Sequence, residues 1–260
     1  MAKKEKKIVY YSDYLHDDFA VNKIKTKKVK EDYKYINNNI FFKMFSWFIR
    51  YIIAVPILTL VTYFYNGTKI YNKKVLKQVK HKGYFLYANH TQTLDPCAHV
   101  VRINPSKYTC IIASHDAFSI NKFITFLVKS LGTIPVPNTP KMYNSYLKAM
   151  SYHINKKHRV LLYPEKHIWP YYNKIRDFTA DTFRYPVLNN APIITATTCY
   201  KKVKLFKRPR IKIYLDGPFY PNLNLAYRDA VNDLKNVALE AMKNRANVEW
   251  NYEYIIYKKK

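Results

Sequence analysis

After residue 82, short apolar runs alternate with longer amphipathic stretches, and this alternation limits the available folds more than any other feature. Strands are expected at 83–88, Tyr108 to Ala113, Thr133 to Val136, Arg159 to Tyr163, Pro192 to Cys199 and Arg210 to Leu215. Helices are expected at 96–103, 116–130, 141–155, 178–189 and 224–244. Elements in that order imply an α/β fold: a single layered domain over 83–260, with a mixed, largely parallel central sheet flanked by helices. No repeat and no Gly- or Ser-rich linker divides this region. In such sheets ligands bind beyond the carboxyl ends of the strands. The loops after strand 83–88 and after strand Arg159 to Tyr163 are therefore the places to expect a site.

The first of those loops holds Asn89-His90-Thr91-Gln92-Thr93-Leu94-Asp95-Pro96. Imidazole titrates near neutral pH, and a carboxylate on its far nitrogen fixes the tautomer and stabilises the imidazolium. His90 and Asp95 thus read as a base with its orienting carboxylate, two parts of a hydrolase triad without the nucleophile. On one regular helix, residues five apart lie about 140° out of register. The pair meets only if 90–94 form a turn and a helix starts at Pro96. Asp-Pro fits that start, since Asp is a favoured N-cap and Pro a favoured first helical residue. The plainer alternative is a capping Asp95 and a loop-filling His90. Ser114-His115-Asp116 spells triad letters, but consecutive side chains diverge, so it reads as a strand end and helix cap.

The 83–260 region is preceded by two others. Residues 1–39 form a basic arm, with Lys3, Lys4, Lys6 and Lys7, then Lys23, Lys25, Lys27, Lys28 and Lys30. Residues 40–82 form a helical segment whose part 40–65 is the most apolar in the chain. Its uncharged stretch, Tyr51 to Tyr65, spans about 22 Å as a helix, short of the roughly 30 Å of a bilayer core. Extending it to Ile40 places Arg50 in hydrocarbon, at about 2.5–3.5 kcal/mol. The expectation is one or two helices lying in the cytoplasmic face of the membrane, monotopic rather than spanning. The formal net charge of +28 favours an anionic surface, each lysine near anionic lipid adding about 1 kcal/mol. Nucleic acid is the competing polyanion, but the basic residues are spread out, no recognition motif appears, and segment 40–65 is left unexplained.

Other chemistries lack their residues. Cys97, Cys110 and Cys199 show no Cys-x-x-Cys spacing, which suggests a reducing interior and no structural zinc. His153, His158 and His167 lack the spacing or acidic partners of a metal site. The four glycines make no phosphate-cradling loop.

Four segments, in order and spacing, resemble the glycerolipid acyltransferase family typified by 1-acylglycerol-3-phosphate acyltransferases. Asn89-His90 through Asp95 resembles its Asn-His-x4-Asp block. Leu131-Gly132-Thr133-Ile134-Pro135-Val136-Pro137 resembles the Gly-x-Ile strand of the second block. Leu162-Tyr163-Pro164-Glu165 resembles Phe-Pro-Glu of the third, and Ala191-Pro192-Ile193-Ile194 the fourth. The resemblance covers 83 to about 220. It implies phospholipid biosynthesis at a membrane, with acyl-CoA or acyl carrier protein as donor, a lysophospholipid or glycerol-phosphate acceptor, and no cofactor. It further implies that His90 takes the acceptor's proton, that Asp95 holds His90, and that Glu165 positions the acceptor. Asn89, Gly132 and Pro192 come with their blocks as substrate-binding positions. Two departures stand out. Pro137-Asn138 replace the arginine that usually ends the second block, and Glu165-Lys166-His167 replace Glu-Gly-Thr-Arg. Arg176, Lys174 and Lys166 are the nearest basic replacements for phosphate recognition, Arg176 first because a guanidinium binds phosphate bidentately.

Overall fold

The computed structural model of the protein describes residues 6–20, 25–248 and 250–260. Lys3, Lys4 and Lys23 of the basic arm lie outside the described residues. Strand β1 (Lys7–Tyr11) comes first. The apolar segment runs as helix α1 (Ile40–Phe48), a π-helical turn (Ile49–Ala54) and α2 (Val55–Phe64), followed by β2 (Lys69–Tyr71). Next come β3 (Tyr84–Ala88), α3 (Asp95–Ala98), β4 (Thr109–Ala113), α4 (Lys122–Ser130), β5 (Thr133–Pro135) and α5 (Pro140–Asn155). The chain continues through β6 (Arg159–Leu162), α6 (Arg184–Leu188), β7 (Ile193–Lys201), β8 (Arg210–Phe219), α7 (Tyr227–Ala246) and β9 (Ile255–Lys259).

The main sheet has the order β2-β8-β7-β3-β6-β4-β5. Strands β7, β3, β6, β4 and β5 are mutually parallel, and β8 joins β7 antiparallel. β3 lies centrally and every residue of it is buried, as expected of a parallel strand covered on both faces. Its side chains alternate between two cores. Phe85 and Tyr87 join Val160, Leu162, Met150 and Leu234 on one face. Tyr84, Leu86 and Ala88 join Leu161, Ile194 and Ile213 on the other. A two-residue period divides one apolar run between both sides of the layer.

All six strands read from sequence form, and β7 and β8 run further as a hairpin. Three expected helices are divided, the 96–103 stretch into α3 and a π-helical turn (His99–Ile103). The 116–130 stretch is a 3₁₀ turn (His115–Phe118) followed by α4, because Asn121 starts a new helix by accepting the Ile124 amide at 2.8 Å. The 178–189 stretch is a 3₁₀ turn (Ala180–Phe183) followed by α6. Strands β1, β2 and β9 were not expected. Lys7–Tyr11, read as part of the basic arm, pairs in parallel with β9.

Ile40–Phe64 is a single helical rod, long and apolar enough to cross a membrane by length and composition. Pro56 offers no N–H to its helical turn. The wider π turn absorbs the mismatch, with the Val55 amide donating to the Arg50 carbonyl five residues back. Arg50 does not face outward into hydrocarbon as the sequence suggests. It is 3% exposed, stacks 3.7 Å over the Tyr108 ring, and donates to the Thr109 carbonyl. The rod binds the body along that face, while Phe41, Met44, Phe48, Ile57, Leu60 and Phe64 stay exposed on the other.

Gly83 opens β3 against the end of α5, where an added Cβ would lie 2.2 Å from the Ile154 carbonyl oxygen. Neither backbone can yield without breaking sheet or helix, so Gly83→Ala should destabilise by roughly 1–3 kcal/mol. A lowered urea midpoint at unchanged slope would register it; an unchanged midpoint would contradict the packing described.

Candidate active site

Where β3 ends, β7 continues, and the Asn89 side chain fills the gap. Its Nδ2 donates to the Thr198 carbonyl (3.2 Å) and its Oδ1 accepts the Thr198 amide (2.8 Å). A buried amide side chain thereby stands in for a strand backbone, and fixes the chain just before His90. The His90 amide donates to Glu165 Oε2 at 3.3 Å, and its carbonyl accepts the Trp169 amide at 3.2 Å. Thr91 is held likewise, its hydroxyl accepting from the Tyr200 hydroxyl at 2.7 Å.

The His90–Asp95 pair meets. His90 Nδ1 donates to Asp95 Oδ2 at 3.4 Å, with side chains 14% and 3% exposed. The same oxygen accepts the Thr91 amide at 2.6 Å and the Gln92 amide at 2.8 Å. Asp95 therefore does not cap the adjoining helix as its Asp-Pro context suggested. Leu94 holds the N-cap position, Asp95 is the first helical residue, and its carboxylate turns back to close the 91–95 turn. Two amide donors and one imidazole donor thus converge on a single carboxylate oxygen and fix its orientation. With Nδ1–H engaged, the lone pair of His90 sits on Nε2, which makes no hydrogen bond among the described residues. An imidazole held in this way can accept a proton at Nε2.

Glu165, beyond the end of the neighbouring strand β6, is buried and ties the surrounding loops together. Its Oε1 accepts the Arg176 amide (2.9 Å), and the Arg176 guanidinium lies 3.7 Å from Oε2. Burial pushes its pKa up to about 7, against the pull of Arg176 and the amides of Arg176 and His90. Arg176, the first choice for phosphate recognition, is spent internally. It is 1% exposed and donates to the carbonyls of Glu165 (3.0 Å), His167 (2.5 Å) and Tyr14 (3.5 Å). Lys166 is exposed and paired with Asp181 at 3.4 Å, and Lys174 is exposed. Gly132 and Pro192 sit far from His90. Each precedes a parallel strand, whereas His90 comes after one. Gly132 packs under Arg50, and the Pro192 carbonyl accepts the Phe85 amide.

Two residues at the site went unremarked in the sequence. The Tyr163 ring stacks on His90 with centroids 4.1 Å apart, and its hydroxyl bonds to His99 Nδ1 at 2.8 Å. His99 is fully buried and reaches the Thr198 hydroxyl with Nε2 (3.4 Å). Burial pushes its pKa down to about 4. The tyrosine stood in view inside the Leu-Tyr-Pro-Glu block, whereas His99 lacked any local signal.

The Acyltransferase family model matches residues 61–198, more than half of the chain, and the chain belongs to that family. Its fold is shared with the crystal structure of the 1-acyl-sn-glycerophosphate acyltransferase PlsC from Thermotoga maritima. That likeness has a TM-score of 0.52 at 11% identity, over 81% of this chain and 97% of that one. No curated protein matches the sequence.

His99 makes stability depend on pH. The unfolded chain protonates it below about 6.5, while the fold holds it neutral down to about 4. Its contribution is complete above pH 6.5 and lost as pH falls toward 4. Glu165 acts in the opposite sense, its raised pKa removing stability as pH rises from about 4.5 to 7. Urea midpoints of the protein and of His99→Gln separate the two. The difference between them should shrink as pH drops from 6.5 to 4, and a pH-independent difference would refute the assignment.

Proposed function

We propose that the protein is a membrane-associated O-acyltransferase acting at the cytoplasmic face of the membrane. It moves a fatty acyl group from acyl-CoA or acyl carrier protein to the hydroxyl of a glycerol-phosphate or lysophosphatidate-type acceptor. The observation that carries this reading is the His90–Asp95 contact at the carboxyl end of β3, with Nε2 left for a substrate proton. His90 Nε2 takes the hydroxyl proton as the acceptor oxygen attacks the thioester carbonyl carbon. The tetrahedral oxyanion collapses, the C–S bond breaks, and the imidazolium returns its proton to the departing thiolate. Asp95 stabilises the imidazolium between those steps. Tyr163 limits ring rotation by stacking, and Glu165 holds the His90 backbone in place.

The apolar rod supports the membrane half of the reading. α2 packs against α3, the helix that begins at Asp95, so a surface bound by the rod lies beside the site. A rod with one face on the body and the other lined by Phe41, Phe48 and Leu60 suits immersion along its length. Phe123 on α4 is 68% exposed, and Phe126 meets Phe45 at 5.2 Å, which widens that apolar face. The lack of a free arginine supports a second acceptor reading, another lysophospholipid or an alcohol. Pro137-Asn138 occupy the usual arginine position, and Arg176 is engaged within the protein.

Mass spectrometry of products from a panel of acceptors tests the proposal, with acyl-CoA and acylated carrier protein compared as donors. His90→Ala should lower kcat by about 10²–10⁴-fold at an unchanged thermal midpoint, and full activity in that variant would refute the mechanism. Asp95→Asn should lower both activity and stability, by about 1–3 kcal/mol, because it leaves amides of Thr91 or Gln92 poorly paired. Flotation with anionic vesicles should fail for Phe41→Ser/Met44→Ser/Phe48→Ser. Undiminished flotation of that variant would remove the rod from the docking surface.

A further inference from the structure

A cavity of about 790 Å³ lies between the rod and segment 27–37, within the range of about 300–1,000 Å³ usual for small-molecule sites. It shares no lining residue with the His90 site. Its inner wall holds Tyr108, Gly132 and His158, each preceding a parallel strand, so it reaches the edge of the sheet opposite to His90. The middle is apolar, lined by Tyr35, Ile36, Phe42, Trp47, Phe118 and Ile134. Around the mouth stand Lys27, Lys28, Lys30, Lys34, Lys43 and Lys129, with Asp32 the single acidic residue of the lining.

Arg50 closes the inner end. It is 3% exposed, and its Nε and Nη2 have no hydrogen-bond acceptor among the described residues. Its nearest compensation is the Tyr108 ring and a long bond to the Thr109 carbonyl. A guanidinium cannot shed its charge, and burying it without a counter-charge is costly. His153 and His158 line the same wall, both pushed down by burial, to about 3 and about 4, with Arg50 adding to the effect. They remain neutral and bring no counter-charge.

We infer that this cavity binds a single-chain anionic lipid, its phosphate or carboxylate head drawn by Arg50 and the lysines and its chain held among the aromatic residues. This ancillary site stands apart from acyl transfer at His90. A bound lipid would join segment 27–37 to the rod.

The probe is dodecyl phosphate, titrated against protein in uncharged detergent and followed by thermal midpoint and by Trp47 fluorescence, with dodecanol and inorganic phosphate as the two halves of the ligand. Dodecyl phosphate should bind saturably, dodecanol and inorganic phosphate at least tenfold more weakly. Arg50→Gln and the cavity-filling Ile36→Trp should each weaken binding about tenfold or more, consistent with loss of a charge-assisted contact or of the cavity itself. His90→Ala should bind as the unaltered protein does. Arg50→Lys retains the charge and should bind within a few-fold, which decides the matter if Arg50→Gln fails to fold. Equal binding of dodecanol, equal affinity in Ile36→Trp, or loss of binding in His90→Ala would overturn the inference. Binding by inorganic phosphate as tight as by dodecyl phosphate would overturn it too, leaving an anion site without a lipid.

Discussion

The buried Glu165 carboxylate is the interaction on which the site depends. One oxygen receives the His90 amide and the other the Arg176 amide, so two loops from adjacent parallel strands close on one group. Arg176 then extends the hold, gathering the carbonyls of Glu165, His167 and Tyr14. Through Tyr14 and through the Trp169 indole, which donates to the Asp17 carbonyl at 2.8 Å, the N-terminal segment joins the same knot. A carboxylate that is buried but bonded at both oxygens is strongly directional and hard to replace. The carboxylate therefore fixes the backbone from which the imidazole projects, while Asp95 fixes the ring.

Much of this could be read directly from the residues. β3 through β8 announce themselves as apolar runs between amphipathic ones, and a period of two along Tyr84–Ala88 suffices to build both cores. His90 and Asp95 are close in sequence and separated only by a turn, so spacing and Asp-Pro chemistry bring them together. The failures share one cause, which is that burial and partners are not local properties. Arg176 looked available because it is basic and near the third block, but it is buried and the carbonyls of Glu165, His167 and Tyr14 engage both of its terminal nitrogens. Gly132 and Pro192 sit in blocks that carry the family resemblance, and yet they open strands at the opposite edge of the sheet. Asp95 faces backward rather than forward, its carboxylate taking the amides of Thr91 and Gln92 in its own turn.

Arg50 illustrates the same limit in the apolar rod. Composition alone placed a cation in hydrocarbon, where it would argue against immersion. The π turn ahead of Pro56 and the Tyr108 ring bring it to the body-facing side. What reads as an interruption in an apolar run is the point at which the rod is fastened to the domain. The lysines obey a related pattern. A net charge of +28 leaves the surface strongly positive, and that field acts on whatever anionic surface the rod meets.

The pairing of β1 with β9 has a consequence for how the protein is made. Synthesis proceeds from the N-terminus, so the rod is complete while most of the sheet is still untranslated. β9 emerges after every strand of the sheet, and only then can Tyr257 donate to the Pro170 carbonyl and stack on Trp169, 4.8 Å away. The wall behind His90 is thus finished by a strand made long after the apolar rod. The order of emergence therefore sets the completion of the apolar rod before the completion of the packing behind His90.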